Sequence, residues 1–302
     1  MEAEARFDEV RVMISKGMGH EAVGKVLEIA KADADPIVRI KCLSLLKVIE
    51  DEEASESILR DLMSELPSDE SMLIQVAGSL RGLGYPSSAY SALKGLDQTD
   101  TVLRLRCMCL EDMEEYEMAL EEVGKIEDPT PFDRILLSEV LSAIGDHKRA
   151  VETAEALLKE MPNDFDVRRA YASTLMLAGR DKEASKYVRG CLKEKTAEAN
   201  ALAAYVMRIH GSIKAAAGYA SRALKIDPKN VSAMETLGIC LAMKGEYDKA
   251  RIVAGAINEA SPGSRAALNV LGYCEEGDQA DLPFLLILLA RLLSHTSFQN
   301  PA

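Results

Sequence analysis

The sequence predicts an all-α protein, an α-solenoid of antiparallel helix pairs. Three observations predict this fold. Apolar residues recur at intervals of three and four, one alanine recurs at a period of roughly 33 to 34 residues, and proline-containing segments separate the repeated stretches. Within the repeated stretches there is no sustained apolar–polar alternation of the kind that indicates strands.

Composition narrows the class of function. Apolar residues make up 48% of the 302 residues, but aromatic residues only 5% with no Trp, so the predicted core is aliphatic. The net charge of −13 disfavours DNA or RNA as a general ligand, because phosphate binding depends on an excess of Lys and Arg. The acidic start "MEAEARFDEVRVM" resembles neither a signal nor a transit peptide, and the six cysteines show no paired metal or redox spacing. We therefore expect reduced thiols and a cytoplasmic protein.

The repeat is defined by three columns of residues. The repeated alanine is often preceded, five residues earlier, by a glycine. Nine residues before each alanine stands a long apolar residue, and three residues earlier still stands a residue that is small in seven of eight cases, which indicates a close approach of two helices. The alanines are Ala22, Ala54, Ala89, Ala119, Ala150, Ala184, Ala216 and Ala250. The long apolar residues are Met13, Leu45, Leu80, Leu110, Leu141, Leu175, Met207 and Leu241. The third column contains Val10, Cys42, Ala77, Cys107, Ser138, Ala172, Ala204 and Gly238.

The elements follow in order from these columns. Each unit begins with a helix that carries the small and long apolar residues, turns at or near the glycine, and continues as a second helix that carries the alanine. Segments that combine Pro with Asp, Asn or Ser are predicted to end each second helix and to cap the next first helix. These segments are "ADADP", "ELPSD", "EDPTP", "EMPND", "KIDPKN" and "ASPGS".

The units resemble tetratricopeptide repeats. The best match spans residues 231–262, where Leu237, Gly238, Leu241, Gly245, Tyr247, Ala250 and Pro262 occupy the family's columns. The resemblance implies a right-handed superhelix whose first helices line a concave groove for a protein partner. We predict eight units over residues 1–262, the first two degenerate, and a ninth partial unit with a C-terminal helix over residues 263–302.

Catalytic chemistry is not indicated. There are four histidines, of which His20, His147 and His210 lie at or beside predicted turns, and no hydrolase, zincin or phosphate-loop motif stands in a fitting context. Cys107 and Cys109 are two residues apart, so a helix turns them to different sides and packing is the favoured interpretation. The sequence therefore predicts a scaffold or adaptor without enzyme activity, cofactor or metal.

The resemblance also implies which side chains face the groove. With the second position of each first helix left out, because it lies at the rim of the groove, the groove-facing positions contain seven basic residues against four acidic ones, opposite to the overall charge. From them we take a candidate peptide-binding set, Arg39, Arg81, Arg104, Arg169, Tyr205 and Arg208. Arg binds carboxylates through paired hydrogen bonds, so the hypothesis is a groove for an acidic or C-terminal-carboxylate peptide. The alternative is a chance excess on a solvated face. The family's chaperone-tail clamp is not carried over, because its Asn position is not matched.

The run "DLPFLLILLARLLSH", residues 281–295, raises a separate question. It is too short to cross a membrane, and it is apolar on all sides, unlike an interfacial helix with a basic face. Three interpretations stay open: the tail beyond it covers it, it forms a homodimer or partner interface, or it lies in the protein's own groove. The candidate interface residues are Phe284, Leu285, Leu286, Leu288, Leu289, Leu292 and Leu293.

Overall fold

The computed structural model describes residues 2–49, 51–261 and 264–278. Within these ranges the regular elements are 17 α-helices and one short 3-10 helix (Leu192–Glu194), without strands, which confirms the predicted all-α class. None of these helices has the length and apolar character needed to cross a membrane. The α-helices are α1 (Glu2–Ser15), α2 (Gly19–Ala32), α3 (Pro36–Ile49), α4 (Glu52–Ser64), α5 (Glu70–Gly82), α6 (Pro86–Ala92), α7 (Asp100–Asp112), α8 (Tyr116–Val123), α9 (Pro131–Ala143), α10 (His147–Glu160), α11 (Phe165–Leu177), α12 (Asp181–Cys191), α13 (Ala197–Ile209), α14 (Ile213–Ile226), α15 (Val231–Ala242), α16 (Tyr247–Ala260) and α17 (Arg265–Asp278).

The helices alternate as the repeat columns predict. Each repeated alanine lies in the second helix of a pair, from Ala22 in α2 to Ala250 in α16, and all eight are at most 6% exposed. The small-residue column lies in the first helices and is likewise buried. Four of the eight long apolar residues are fully buried and the other four partly buried. A residue with a larger side chain at the small positions would hold the packed helices apart.

The turns inside the pairs are closed by glycine and by the long apolar residue. Six glycines of the repeat have φ between 69° and 85°, a left-handed conformation that glycine adopts without steric cost. At five of these turns the backbone N–H of the residue after the glycine bonds back to the carbonyl of the long apolar residue, as from Tyr85 to Leu80 (2.9 Å) and from Ser212 to Met207 (2.8 Å). This bond satisfies a carbonyl that the helix end would leave free.

The turns between pairs supply N-caps, as predicted. The side chains of Asp69, Thr130, Asp164 and Asn230 accept hydrogen bonds from backbone N–H groups in the first turns of α5, α9, α11 and α15. Each such cap stabilises a helix by about 1 kcal/mol.

The chain divides into two compact units, Met1–Asp146 and the residues from His147 onward. In the first unit α3 contacts α5, α5 contacts α7 and α7 contacts α9, and in the second unit α11 contacts α13, α13 contacts α15 and α15 contacts α17. First helices therefore stand side by side within each unit. The division at residue 262 stays a prediction.

None of the six cysteines, all of which lie in the described part of the chain, forms a disulfide, and all six are buried. Cys107 and Cys109 belong to different apolar clusters, as expected for residues two apart on a helix. Burial raises the pKa of both thiols to about 12. Since the thiolate is the reactive form, these are packing residues.

Candidate peptide-binding site

Three of the predicted groove residues come together in the second unit. Arg169 lies on α11, Tyr205 and Arg208 lie on α13, and the two helices are in contact. We call these three residues the Arg–Tyr–Arg cluster. All three side chains are partly exposed.

In this cluster two guanidinium groups lie against one aromatic ring. The Cζ atoms of Arg169 and Arg208 are 5.7 and 5.5 Å from the centroid of the Tyr205 ring, within the range of cation–π attraction. The Tyr205 hydroxyl donates a hydrogen bond to the Ser173 Oγ on α11 (3.3 Å), which fixes the ring between the two helices. The cluster therefore holds two positive charges around one ring.

Arg208 is the arginine of the cluster with free hydrogen-bonding capacity. Its Nε is buried and has no hydrogen-bond partner, which is also true of the Nε atoms of Arg39 and Arg81. Arg208 differs from those two in that its guanidinium has no carboxylate partner among the residues that the structure describes. A buried donor without an acceptor costs about 1–3 kcal/mol, so an acceptor from a bound ligand would relieve that cost. Arg169 forms an ion pair with Asp166 at 3.6 Å, in which the carboxylate is 68% exposed and the attraction correspondingly weak.

The arginines of the first unit are already engaged. Arg81 on α5 pairs with Asp112 on α7 (Nε to Oδ2, 2.8 Å), and both side chains are largely buried. Arg104 on α7 holds Asp133 on α9 through two bonds, from Nε to Oδ1 (2.5 Å) and from an Nη to Oδ2 (2.8 Å). These pairs link each first helix to the next and leave little cationic capacity for a ligand.

Asp133 has a second set of partners. Its Oδ2 accepts hydrogen bonds from the backbone N–H (2.8 Å) and the hydroxyl (2.6 Å) of Thr130, completing the cap of α9. Burial opposes ionisation, but the hydrogen bonds from Arg104 and Thr130 outweigh it and hold the pKa of Asp133 below its ordinary value. The Arg104–Asp133 pair is thus an ionised, structural contact.

Arg39 is engaged within its own helix pair, not with the next first helix. Its side chain is buried and bonds the Asp61 backbone carbonyl (3.1 Å) and the Glu65 carboxylate (2.7 Å) on and just beyond α4, the second helix of its own pair. The sequence columns gave no sign of this partner, because the contact depends on how a long side chain crosses between helices.

Two apolar residues beside the cluster were not singled out from the sequence. Leu177 and Ile209 are the last residues of α11 and α13, and they are 52% and 38% exposed. Each lies four residues, one turn, beyond a member of the Ser173–Tyr205 hydrogen bond, so each shares a helix face with it. The sequence signal for them is their position, because both occupy a groove-facing position of the repeat.

The second unit also contains a cavity of about 510 Å³ beside α10, α11 and α12. Its lining includes Tyr171 and Tyr187, whose rings meet edge to face at 5.1 Å, and Arg168. The Arg168 guanidinium is held by both carboxylate oxygens of Glu194 (2.8 and 3.0 Å), so this arginine is already paired.

The candidate interface residues Phe284, Leu285, Leu286, Leu288, Leu289, Leu292 and Leu293 lie outside the described residues. The capping or interface role of this segment therefore stays a prediction.

Residues 208–274 match the tetratricopeptide repeat family. The match confirms the predicted resemblance of this part of the chain to tetratricopeptide repeats. The matched segment contains α14, α15 and α16 and most of α17, and it includes Arg208 of the cluster. No curated protein matches the sequence.

Several solved structures of tetratricopeptide repeat proteins are similar to this chain. A tetratricopeptide repeat protein from Parabacteroides merdae is 14% identical, with 79% of this chain and 98% of that chain covered and a TM-score of 0.49. Yeast Tom70 is 13% identical, with 86% and 58% covered and a TM-score of 0.44. YrrB, described as a TPR protein with an unusual peptide-binding site, is 16% identical, with 71% and 97% covered and a TM-score of 0.33.

Proposed function

We propose that this protein is an adaptor that binds an acidic peptide segment of a partner protein on the first-helix face of its second unit. The observation that carries the proposal is the Arg–Tyr–Arg cluster, in which Arg208 has no carboxylate partner among the described residues. The first unit contrasts with it, because Arg81 and Arg104 are already paired there.

The chemistry of the cluster favours a carboxylate. A guanidinium binds a carboxylate through two parallel hydrogen bonds, and stacking against Tyr205 limits how far each guanidinium must be ordered on binding. The chain as a whole carries a charge of −13, so an acidic ligand is repelled elsewhere and is bound where positive charge is concentrated. An acidic side chain and a C-terminal carboxylate share this chemistry.

Affinity capture from native lysate, followed by mass spectrometry, tests the proposal. The bait is compared with an Arg169→Glu/Arg208→Glu variant. A matched control, Arg189→Glu/Arg222→Glu, makes the same charge change at exposed arginines of the second helices α12 and α14. Arg222 is a close match, because it also stacks on a tyrosine, Tyr219, at 4.2 Å.

We expect a set of proteins that is captured by the wild type and by the control variant and lost with Arg169→Glu/Arg208→Glu. A partner that both variants lose equally would show a general charge effect. A partner that both retain would place binding elsewhere. Either result would contradict the proposed site.

A second role is favoured by the segment 281–295, for which the sequence predicts a helix with apolar residues on all sides. We propose that it mediates self-association, because a helix without a polar face is stable only when it is covered. Light scattering on Leu286→Glu/Leu289→Glu tests this: a fall from dimer to monomer mass supports it, and an unchanged mass contradicts it. We also propose a cytoplasmic location, since none of the six buried cysteines of the described residues forms a disulfide.

A further inference from the structure

The exposed apolar ends of α11 and α13 lie next to the cationic cluster, and this juxtaposition restricts the ligand. Leu177 and Ile209 are large, exposed and on the same helix faces as Ser173 and Tyr205. Large apolar side chains at the ends of two adjacent helices present a small apolar surface to water. Its burial by an apolar side chain of a ligand would be favourable.

The next first helix, α15, carries a negative charge that limits the extent of the positively charged surface. Glu235 on α15 occupies the repeat position that Arg169 occupies on α11, and it accepts a hydrogen bond from Asn269 on α17 (2.6 Å). A ligand carrying a long run of acidic residues would meet this carboxylate. The face therefore favours one acidic residue over an acidic run.

We infer that the cluster selects a peptide in which one Asp or Glu side chain is followed or preceded, about two to four residues away, by a large apolar residue. The spacing comes from helix geometry. Leu177 lies eight residues beyond Arg169, about 12 Å along the axis, and Ile209 lies four residues beyond Tyr205, about 6 Å. An extended peptide covers these distances at about 3.3 Å per residue. This inference rests on the proposed function and adds the identity of the ligand.

A peptide library tests the inference without knowledge of the partner. Acetylated and amidated nonapeptides carry a fixed central Glu, Gln or phosphoserine, with Leu or Gln placed at each offset from one to four on either side and degenerate residues elsewhere. Amidation removes the C-terminal carboxylate. Binding of the labelled full-length chain is measured for each pool.

We expect central Glu to bind better than Gln, and Leu at an offset of two to four to bind about tenfold better than Gln at that offset. The Leu177→Gln/Ile209→Gln variant should lose the offset preference and keep the preference for Glu. The Arg169→Gln/Arg208→Gln variant should show the reverse. Since all four side chains are at least partly exposed, each variant should retain the helical circular dichroism of the wild type.

Three results would overturn the inference. These are an offset profile that is flat, an offset preference that survives Leu177→Gln/Ile209→Gln, and binding by the phosphoserine pools alone. In each case a lysate partner that depends on Arg169 and Arg208 would leave the adaptor function standing, so the two failures are distinguishable.

Discussion

At the residue scale, the turn between α7 and α8 lacks the glycine that occurs at this position in six other helix pairs. Glu114 occupies the turn position that glycine holds in six other pairs, and it has the same left-handed backbone, with φ of 63°. For a residue with a Cβ this conformation costs about 1–2 kcal/mol relative to the right-handed region. The turn keeps its closing bond, from the Glu115 N–H to the Leu110 carbonyl (2.9 Å), so the fold imposes the conformation on Glu114.

We therefore expect Glu114→Gly to raise the free energy of unfolding by about 1 kcal/mol. Gly84→Ala is the matched reverse change, because Gly84 has φ of 85° and an added Cβ would meet nothing within 4 Å. It should lower the free energy of unfolding by about the same amount. Urea titration followed by circular dichroism measures both, and equal stability of Glu114→Gly and wild type would contradict this account.

The Arg104–Asp133 pair predicts a pH dependence. Because the pKa of Asp133 is lower in the folded chain than in the unfolded chain, the pair stabilises the fold above the ordinary carboxyl pKa of 3.8. That contribution is lost as the pH falls from there through the folded pKa, where both states become protonated. Asp133→Asn should lower stability by about 2 kcal/mol at pH 7, and the difference should shrink below pH 3.8.

Asp166→Asn is the control for this change. Asp166 is 68% exposed and pairs with Arg169 at 3.6 Å, so its replacement should alter stability by no more than about 0.5 kcal/mol at any pH. Thermal unfolding midpoints from pH 2.5 to 7 make the comparison. A pH-independent effect of Asp133→Asn would mean that the capping geometry, not the charge, carries the contribution.

At the scale of elements, Gly238 sets the approach of α15 to its neighbours. A Cβ at this position would lie 2.8 Å from both methyl carbons of Val270 on α17 and 3.3 Å from a methyl carbon of Val253 on α16. Val270 is fully buried and β-branched, so it has little freedom to move aside. The glycine is therefore required by packing between helix pairs, not by its backbone conformation.

We expect Gly238→Ala to lower the free energy of unfolding by about 1–2 kcal/mol, because overpacking outweighs the better helix propensity of alanine. Gly255→Ala, on α16 where an added Cβ meets nothing within 4 Å, should raise it by about 0.5–1 kcal/mol. The test is whether the two substitutions change the free energy of unfolding in opposite directions. Stabilisation by both would show that α15 and α17 can separate without cost.

At the scale of the whole molecule, the sequence predicted the helix pairs because their determinants are local. The buried alanine of each second helix, the glycine turns and the caps at Asp69, Thr130, Asp164 and Asn230 all act within a few residues of the chain. Repetition of the same pattern makes such local signals readable from one sequence.

Which of the arginines are paired with carboxylates could not be predicted from the sequence. Arg81 and Asp112 are 31 residues apart, and Arg104 and Asp133 are 29 apart, so their pairing depends on the relative placement of adjacent repeats and on side-chain conformation. In the sequence, these arginines are indistinguishable from Arg208. The structure distinguishes them, and this distinction moves the candidate site from six residues over the array to the Arg–Tyr–Arg cluster of the second unit.

The central claim is that a partner segment lies on the first-helix face of the second unit. Site-specific photo-crosslinking in native lysate tests it most directly, with the photoreactive residue p-benzoylphenylalanine placed at Ile209 or at Ile226. Both are exposed isoleucines and the last residues of their helices, α13 and α14, so they differ chiefly in belonging to a first or a second helix. We expect a crosslinked partner from position 209, lost on adding Arg169→Glu/Arg208→Glu, and none from position 226. A partner crosslinked from position 226 and absent from position 209 would contradict the account.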